Sequence, residues 1–414
     1  MENNKPKLRN IAAKPVTIDG SPMILLEDPE NISEQKLLIP HNEGMVTLLG
    51  CLDGQHTVAD IQSEFMQRYQ TFIMSDEIED IIRKLNESHF LENERFYSFR
   101  NGILSTFRKD PVRHSSLAGS VYPREEDSLN KLLDAMMFAG RMNKSELLVL
   151  PEDRPPAGII APHIDFMRGG RVYGTTYGSL PPQHPPDLFI ILGTLHTPAD
   201  SLFVFTRKNY ETPLGVVETD TEFLDNMENY VPAEILYSDE IAHRREHSIE
   251  FQVLCLQYMY RDYGPIRIVP ILCSSFNEFI LADEKPSSSE DFLYIINAMK
   301  AVLDSGGKVT TLVAGADLAH IGPAFGDPGE ITDQFLEESN LRDDIILDAA
   351  ARCDAEGFFN DIAENVDRFR ICGLPPIYTM LHLLSSNEGI QVDYEQSLDP
   401  KRTTSVSFAG MLYY

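Results

Sequence analysis

The sequence predicts an α/β fold, a sheet with helices on both of its faces, preceded by a small helical domain. From residue 157 onward, short apolar runs alternate with amphipathic segments of helix length, which is the pattern of strands and helices packed in layers. Residues 44–91 carry three short helical patterns instead. The chain has 414 residues, 43% of them apolar, which is more than one typical domain requires.

We expect three segments along the chain: a winged-helix domain over residues 1–100, a connecting segment with one helix over residues 101–150, and the α/β domain over residues 151–414. In the connector, proline and glycine punctuate a polar stretch before SLNKLLDAMMFAGRM, whose apolar residues recur at helical spacing. The α/β pattern starts only after that helix.

The front segment has the pattern of three helices followed by a hairpin. The helical patterns run over Gly44–Leu52, Thr57–Tyr69 and Asp76–His89, with Thr57 and Ser75 as N-caps. The stretch FLENERFY then places an asparagine-containing turn between short apolar and aromatic segments, which favours a hairpin. Together these elements are typical of a winged helix.

Composition excludes several classes of protein. The 35 basic and 64 acidic residues leave a net charge of −29, which repels nucleic acid and anionic membrane surfaces. The five cysteines are scattered with no Cys-x-x-Cys pair, so a disulfide scaffold is not expected. The amino terminus is polar and no apolar run reaches the roughly 18 residues of a membrane span, so we expect a cytoplasmic protein.

Three predicted strands each end just before a histidine. The run AGII leads into His163, LFIILG into His196, and TTLVAG into Asp317 and His320. Open α/β sheets place their ligands beyond the carboxyl ends of such strands. One such histidine alone is more often structural, but three at one edge favour a shared metal ion or a polar network around a substrate. His163, His196 and His320, together with Asp317, are therefore candidate residues of one pocket.

A fourth segment, HRREHSIEFQVLCLQYMY, has the apolar stripe of a helix. His247 and Glu250 lie three positions apart and would share another face of that helix. This makes them candidate catalytic groups, or a ligand whose imidazole is oriented by the carboxylate. An exposed pair without a function is an equally good interpretation of the spacing.

Seven motifs, taken in order, resemble the Memo family from about residue 155 to Tyr414: APHIDF, LGTLH, EHSIEFQ, VPILCSS, ADLAHIG, ICGLPPI and SVSFAG. Proteins of that family are similar in fold to the class III extradiol dioxygenases, which bind ferrous iron, and are linked with copper or iron. The resemblance implies that His163 and His196 are metal-site histidines. With those two as ligands, we expect Asp317 or Glu250 as a carboxylate ligand of the metal and His320 as an acid/base group. Some members carry a cysteine before the last histidine, where this chain has Ala319. The remaining nitrogen and oxygen donors suit iron best, with copper or zinc as alternatives.

Residues 44–91 resemble the PqqD-like domains that hold precursor peptides for radical-SAM enzymes. Bacterial Memo-like proteins of the AmmeMemoRadiSam system, where they are protein B, occur with a radical-SAM protein and an AMMECR-like protein, so the resemblance implies those partners. The third helix is acidic, which disfavours DNA and favours a peptide or protein ligand. A plain packing role fits the same pattern equally well.

These features favour a metal-dependent oxidoreductase of dioxygenase type that acts with a radical-SAM system. The alternative is a protein without turnover that uses the same pocket and the winged-helix domain to bind a peptide or phosphopeptide. Metal-assisted hydrolysis would need only zinc and a base, and the same residues could supply it.

Overall fold

The structure, a computed structural model, describes residues 5–143, 150–384 and 388–414. The chain forms two compact units, Met1–Lys109 and Asp110–Tyr414. The boundary between them falls inside the segment for which the sequence predicts a connector.

Over its described residues, 5–109, the first unit has three strands followed by four helices: β1 (Ala12–Ile18), β2 (Ser21–Glu27), β3 (Lys36–Pro40), α1 (Glu43–Gly50), α2 (Val58–Tyr69), α3 (Ser75–Glu87) and α4 (Glu94–Lys109). The strands pair antiparallel in the order β1-β2-β3. The three predicted helices are present as α1, α2 and α3, and Thr57 caps α2 through reciprocal bonds with Asp60. The N-cap of α3 is Met74 rather than the predicted Ser75.

The predicted hairpin after α3 is wrong, because FLENERFY leads into helix α4. The side chain of Asn93 accepts a hydrogen bond from the backbone N–H of Phe96 at 3.1 Å, which is the geometry of an N-cap. The asparagine that suggested a turn therefore begins a helix. Since the strands precede the helices and α4 occupies the place of the hairpin, the winged-helix outline is not confirmed.

The second unit contains one large sheet and the helices that cover it. Its strands are β4 (Val112–Arg113), β5 (Gly158–Ala161), β6 (Leu188–Thr194), β7 (Phe203–Phe205), β8 (Asn209–Thr212), β9 (Gly215–Thr219), β10 (Arg267–Cys273), β11 (Thr310–Gly315), β12 (His320–Ile321), β13 (Gly389–Leu398) and β14 (Ser405–Tyr413). Its helices are α5 (Glu126–Asn143), α6 (Phe166–Tyr177), α7 (Thr221–Glu228), α8 (Ala233–Leu236), α9 (Glu250–Tyr260), α10 (Asn277–Ala282), α11 (Glu290–Gly306), α12 (Asp333–Ala351), α13 (Ala355–Ala363) and α14 (Leu374–Leu383).

The sheet has 11 strands in the order β12-β14-β5-β11-β6-β10-β9-β8-β4, with β13 paired to β14 and β7 paired to β10. Its centre is the parallel set β5, β11, β6 and β10. Strand β4 pairs with β8, and α5 packs against α6. Residues 110–143, part of the predicted connector, are thus built into the second unit.

Both faces of the sheet are buried. Along β6, Leu188, Ile190 and Leu192 face a core that includes residues of α11 to α14. Phe189 and Ile191 face a second core that includes residues of α5, α6 and α9. This burial on two faces explains why the strands are continuous apolar runs, and it confirms the predicted α/β class. None of the described helices is long and apolar enough to cross a membrane.

The register of the parallel strands brings their carboxyl ends to one level. Gly315 of β11 pairs with Ala161 of β5 on one side and with Gly193 of β6 on the other. Strands β5, β11 and β6 therefore end next to one another, and the residues that follow them meet at one edge of the sheet.

The carboxyl group of Asp343, on α12, is fully buried and accepts a hydrogen bond from the Tyr394 hydroxyl at 2.7 Å. Burial raises its pKa to about 7. Between about pH 4, where an unfolded aspartate titrates, and pH 7, the folded protein binds more protons than the unfolded chain, so the stability contributed by this group falls as pH rises. Above about pH 7 this contribution to the stability of the folded protein is fully lost.

We expect Asp343→Asn to remove this loss of folding stability, because the amide does not ionise. The variant should unfold at a higher temperature than the parent at pH 8, and the gain should be smaller at pH 5, because each pH unit in the window costs about 1.4 kcal/mol at most. Thermal unfolding at both pH values checks this. A gain equal at pH 5 and pH 8 would show that the carboxyl group does not titrate in this window.

Candidate metal centre

Three histidines meet at the edge of the sheet. His163 follows β5, His196 follows β6, and His247 lies in the loop before α9. One nitrogen atom from each ring lies within 4.8 Å of the others, and the ring centroids are 4.9 to 5.6 Å apart. His163 is buried, His247 is half-buried, and 39% of the His196 side chain is exposed. Of the three strand-end histidines that the sequence predicts to meet, His163 and His196 do, and the third member of the group is His247 rather than His320.

Two glycines make room for the loop that carries His247. A Cβ atom at Gly193 would lie 2.5 Å from the Ser248 hydroxyl oxygen, and one at Gly315 would lie 2.6 Å from the Ser248 carbonyl oxygen. Ser248 donates a hydrogen bond to the Thr194 carbonyl at 2.8 Å. The ends of β6 and β11 therefore support this loop directly, and a larger residue at either position would displace it.

A single buried carboxylate, Glu246, orients two of the histidines. Its oxygens lie 3.0 and 3.1 Å from His196 Nδ1 and 3.2 Å from His247 Nδ1. It also accepts the backbone N–H groups of His196, His247 and Ser248 at 2.7 to 3.0 Å. Because a carboxylate only accepts, these contacts favour, in each neutral ring, the tautomer with the hydrogen on Nδ1 and the lone pair on Nε2.

His163 has the same tautomer for a different reason. Its Nδ1 atom lies 2.9 Å from the Gly315 carbonyl oxygen, which can only accept, so Nε2 carries the lone pair. Burial, together with the neighbouring His196 and His247, holds the pKa of His163 well below its ordinary value. This imidazole is therefore neutral at pH 7, which is the form that binds metals.

The charges of the cluster are set by Glu246. Burial favours neutral His196, but attraction and hydrogen bonding to Glu246 outweigh it and raise the pKa of His196. Burial also opposes the charge of Glu246, yet the two imidazoles hold its pKa well below the ordinary range. Below the pKa of His196 the pair is an imidazolium and a carboxylate, so metal binding would compete with a proton at this ring.

Asp317 lies beside the cluster and supports its backbone. Its Oδ1 atom accepts the N–H groups of His163 and Ile164 at 2.9 and 3.2 Å, while Oδ2 lies 3.7 Å from His163 Nε2. Burial raises the pKa of this carboxyl group. These bonds fix the turn that presents His163, and the predicted role of Asp317 as a ligand stays a prediction.

His320 lies outside the group of three. Its Nδ1 atom is 3.0 Å from the Leu318 carbonyl oxygen, and its ring stands edge-on to Phe325. Burial lowers its pKa, and the charges of His163 and His196 lower it further against the opposing effect of Asp317. A neutral imidazole at pH 7 suits the predicted acid/base role, which stays a prediction.

The prediction that His247 and Glu250 share a helix face is wrong, because α9 begins at Glu250 and His247 precedes it. The Glu250 carboxylate is fully buried and pairs with Arg113, and it also accepts a hydrogen bond from the Tyr122 hydroxyl. The carboxylate that contacts His247 is instead Glu246. Helical spacing selected the wrong glutamate because residues 245–249 form a loop between the 3₁₀ helix Glu240–Arg244 and α9.

Cys372 is a functional candidate that the sequence analysis did not select. Its sulfur lies 3.4 Å from His163 Nε2 and 3.7 Å from the Asp317 carbonyl oxygen. A Cβ atom at Gly373 would lie 2.4 Å from the same carbonyl, so only glycine lets this loop approach so closely. Burial raises the pKa of the thiol well above its ordinary value. The thiol comes from the ICGLPP loop and not from the position of Ala319, where a cysteine was considered.

A cavity of about 450 Å³ opens beside the cluster, and His196 and Cys372 form part of its wall. Its lining combines apolar side chains such as Phe276 and Leu374 with polar ones such as Asp367 and Arg370. This volume and mixed lining are typical of small-molecule sites.

Comparison with known proteins identifies relatives of the second unit. The family model described as Memo-like protein matches residues 113–412, which include all three histidines and Cys372. A MEMO1 family protein of Aquifex aeolicus is 26% identical over 413 residues, covering 99% of this chain and 100% of the relative. One of Thermus thermophilus is 26% identical over 360 residues, covering 86% of this chain and 98% of the relative.

A shorter relative matches about three quarters of this chain. A MEMO1 family protein of Archaeoglobus fulgidus is 29% identical over 308 residues, which are 73% of this chain and 99% of the relative. The match to that protein therefore leaves about a quarter of this chain uncovered, whereas the Aquifex aeolicus relative spans both units.

Proposed function

This chain belongs to the Memo-like protein family, and from that premise we propose that it binds one divalent metal ion through His163, His196 and His247. The observation that carries the proposal is the grouping of the three rings, each with its Nδ1 atom beside an acceptor. Every Nδ1 atom lies within 3.2 Å of a carboxylate or carbonyl oxygen, which favours the tautomer with the lone pair on Nε2. Three imidazole nitrogen donors within 4.8 Å of one another are a donor set that iron, copper and zinc accept.

Cys372 is proposed as a fourth donor on the side of His163. Its sulfur is 3.4 Å from His163 Nε2, and burial favours the neutral thiol until a metal displaces the proton. A thiolate is a soft ligand, so a site that includes Cys372 favours copper and zinc more than a site with only nitrogen and oxygen ligands does. The proposed reaction requires a redox-active ion, which excludes zinc, and we keep iron as the first candidate with copper as the alternative.

The reaction we propose is oxidation of a small substrate in the adjoining cavity. When bound, a redox-active ion with open positions supplies a site where dioxygen and substrate meet. The cavity would hold the substrate against His196, with Phe276 and Leu374 contacting its apolar part. His320, neutral at pH 7, would take a proton from the substrate, and Asp317 would keep the His163 turn in place.

Metal content after anaerobic purification tests the site. We expect the parent protein to hold about one equivalent of metal and His163→Ala/His196→Ala to hold less than a tenth of that, because two of three nitrogen donors are lost. The surface histidines offer a matched control, since His114→Ala/His184→Ala removes two imidazoles elsewhere in the same unit. Equal metal in the parent and in the His163/His196 variant would refute the assignment.

Oxygen consumption by the iron-loaded protein with a panel of catechols tests the proposed reaction. Uptake that disappears in the His163/His196 variant supports the oxidoreductase. A protein that holds iron but consumes no oxygen would favour the alternative, in which the pocket binds a peptide without turnover.

A further inference from the structure

A buried arginine contacts the loop that carries the metal centre. Arg113 lies in β4, and its side chain has no exposed surface. Its Nε atom donates to the His243 carbonyl at 2.9 Å, and Nη2 donates to the Glu246 carbonyl. The same guanidinium pairs with Glu250 and lies 5.1 Å from the centre of the Tyr210 ring. One cation thus holds the backbone on both sides of Arg244 and Arg245.

Glu250, the ion-pair partner of Arg113, also binds the segment that follows β4. Its carboxylate accepts the backbone N–H and hydroxyl of Ser116 at 2.9 Å each, the backbone N–H of Leu117 at 3.1 Å, and the hydroxyl of Tyr122. Residues 113–122 are therefore bound to the first turn of α9. The pair with Arg113 joins this segment to the loop that ends at Ile249.

A buried ion pair is a costly way to gain stability. Taking both charges out of water offsets most of their attraction, and well-packed apolar residues in the same place are often equally stabilising. The pair instead fixes the orientation of the groups around it. The planar guanidinium donates to two carbonyls and one carboxylate at fixed angles, which neither an apolar side chain nor a lysine can reproduce.

We propose that Arg113 and Glu250 are positioning residues of the metal centre. They fix the main chain at Glu246, and the Glu246 carboxylate then fixes the rings of His196 and His247. The inference rests on the proposed metal-binding function, but it also concerns the metal-free protein, in which the same contacts set the tautomers of both rings.

The test uses the full chain with Arg113→Met/Glu250→Gln, a change that leaves no unpaired buried charge. Nitrogen-15 spectra of histidine-labelled, metal-free protein report the tautomers, and cobalt(II) titration followed by its visible absorption reports metal affinity. We expect His196 and His247 to become mixtures of both tautomers and cobalt affinity to fall at least tenfold, the range found when a ligand-orienting group is lost. Arg207→Met/Glu228→Gln, an ion pair of the same residue types at the surface of the same unit, should change neither readout.

The outcomes separate this inference from the proposed function. Unchanged tautomers and an affinity within twofold of the parent would overturn the positioning role. If the parent binds no cobalt, the metal site is refuted. Mixed tautomers in the double variant, compared with the parent, would still support the positioning role. Should the double variant not fold, Arg113→Lys keeps the charge and is expected to retain partial cobalt affinity below that of the parent. Full affinity in that variant would also overturn the role.

Discussion

Glu246→Gln should lower metal affinity about a hundredfold. A single lost orienting group typically costs ten- to a hundredfold, and here one carboxylate serves both His196 and His247. The glutamine amide has one accepting oxygen and one donating NH₂ group, whereas two imidazole N–H groups and three backbone N–H groups all need an acceptor at this place. One ring must then take the other tautomer, which turns its Nε2 atom from a donor of electrons into an N–H group.

Competition with a chromophoric chelator for zinc or iron(II) measures this loss. Glu240→Gln is a matched control, because Glu240 lies in the preceding 3₁₀ helix and accepts from the Thr206 hydroxyl. The control should keep its affinity within about twofold of the parent. If Glu246→Gln binds as tightly as the parent, the carboxylate does not orient the rings and the account of the centre is wrong.

Gly174→Ala should destabilise the second unit by about 3 kcal/mol or more. Helices α5 and α6 cross where two glycines face each other: a Cβ atom at Gly174 would lie 1.9 Å from the Met136 carbonyl oxygen, and one at Gly140 would lie 2.0 Å from the Gly174 carbonyl carbon. Overpacking commonly costs 1 to 3 kcal/mol when side chains can adjust, and here the neighbour is backbone. The helices must therefore separate.

Thermal unfolding gives the size of the effect, with an expected fall in the transition midpoint of roughly 6 °C or more. Gly306→Ala, at the end of α11, places its Cβ atom in open space and should leave the midpoint unchanged or raise it slightly. Equal midpoints for Gly174→Ala and the parent would mean that α5 and α6 do not approach as closely as described.

The sheet and two of its histidines could be predicted because their signal is local. A buried strand is an apolar run, and the ends of parallel strands meet at one edge whatever the loops do, so His163 and His196 could be placed together. His247, Glu246 and Cys372 come from loops whose paths depend on contacts distant in sequence. The pairing of Glu250 with Arg113, 137 positions away, is one such contact.

Two other errors have the same origin. Asn93 caps a helix with the side chain that also favours turns, and only the following residues decide between them. The family pattern places a cysteine beside His320, and because this chain has Ala319 there, we expected a site without a thiolate. The structure brings a thiol from the ICGLPP loop instead, through a glycine contact with Asp317 that no local pattern indicates.

The most direct test of the central claim is X-ray absorption at the metal edge of the protein loaded with one equivalent of zinc or iron(II). The account predicts multiple scattering from about three imidazole rings and one sulfur neighbour at about 2.3 Å. A spectrum with oxygen neighbours alone, and no imidazole scattering, would contradict it.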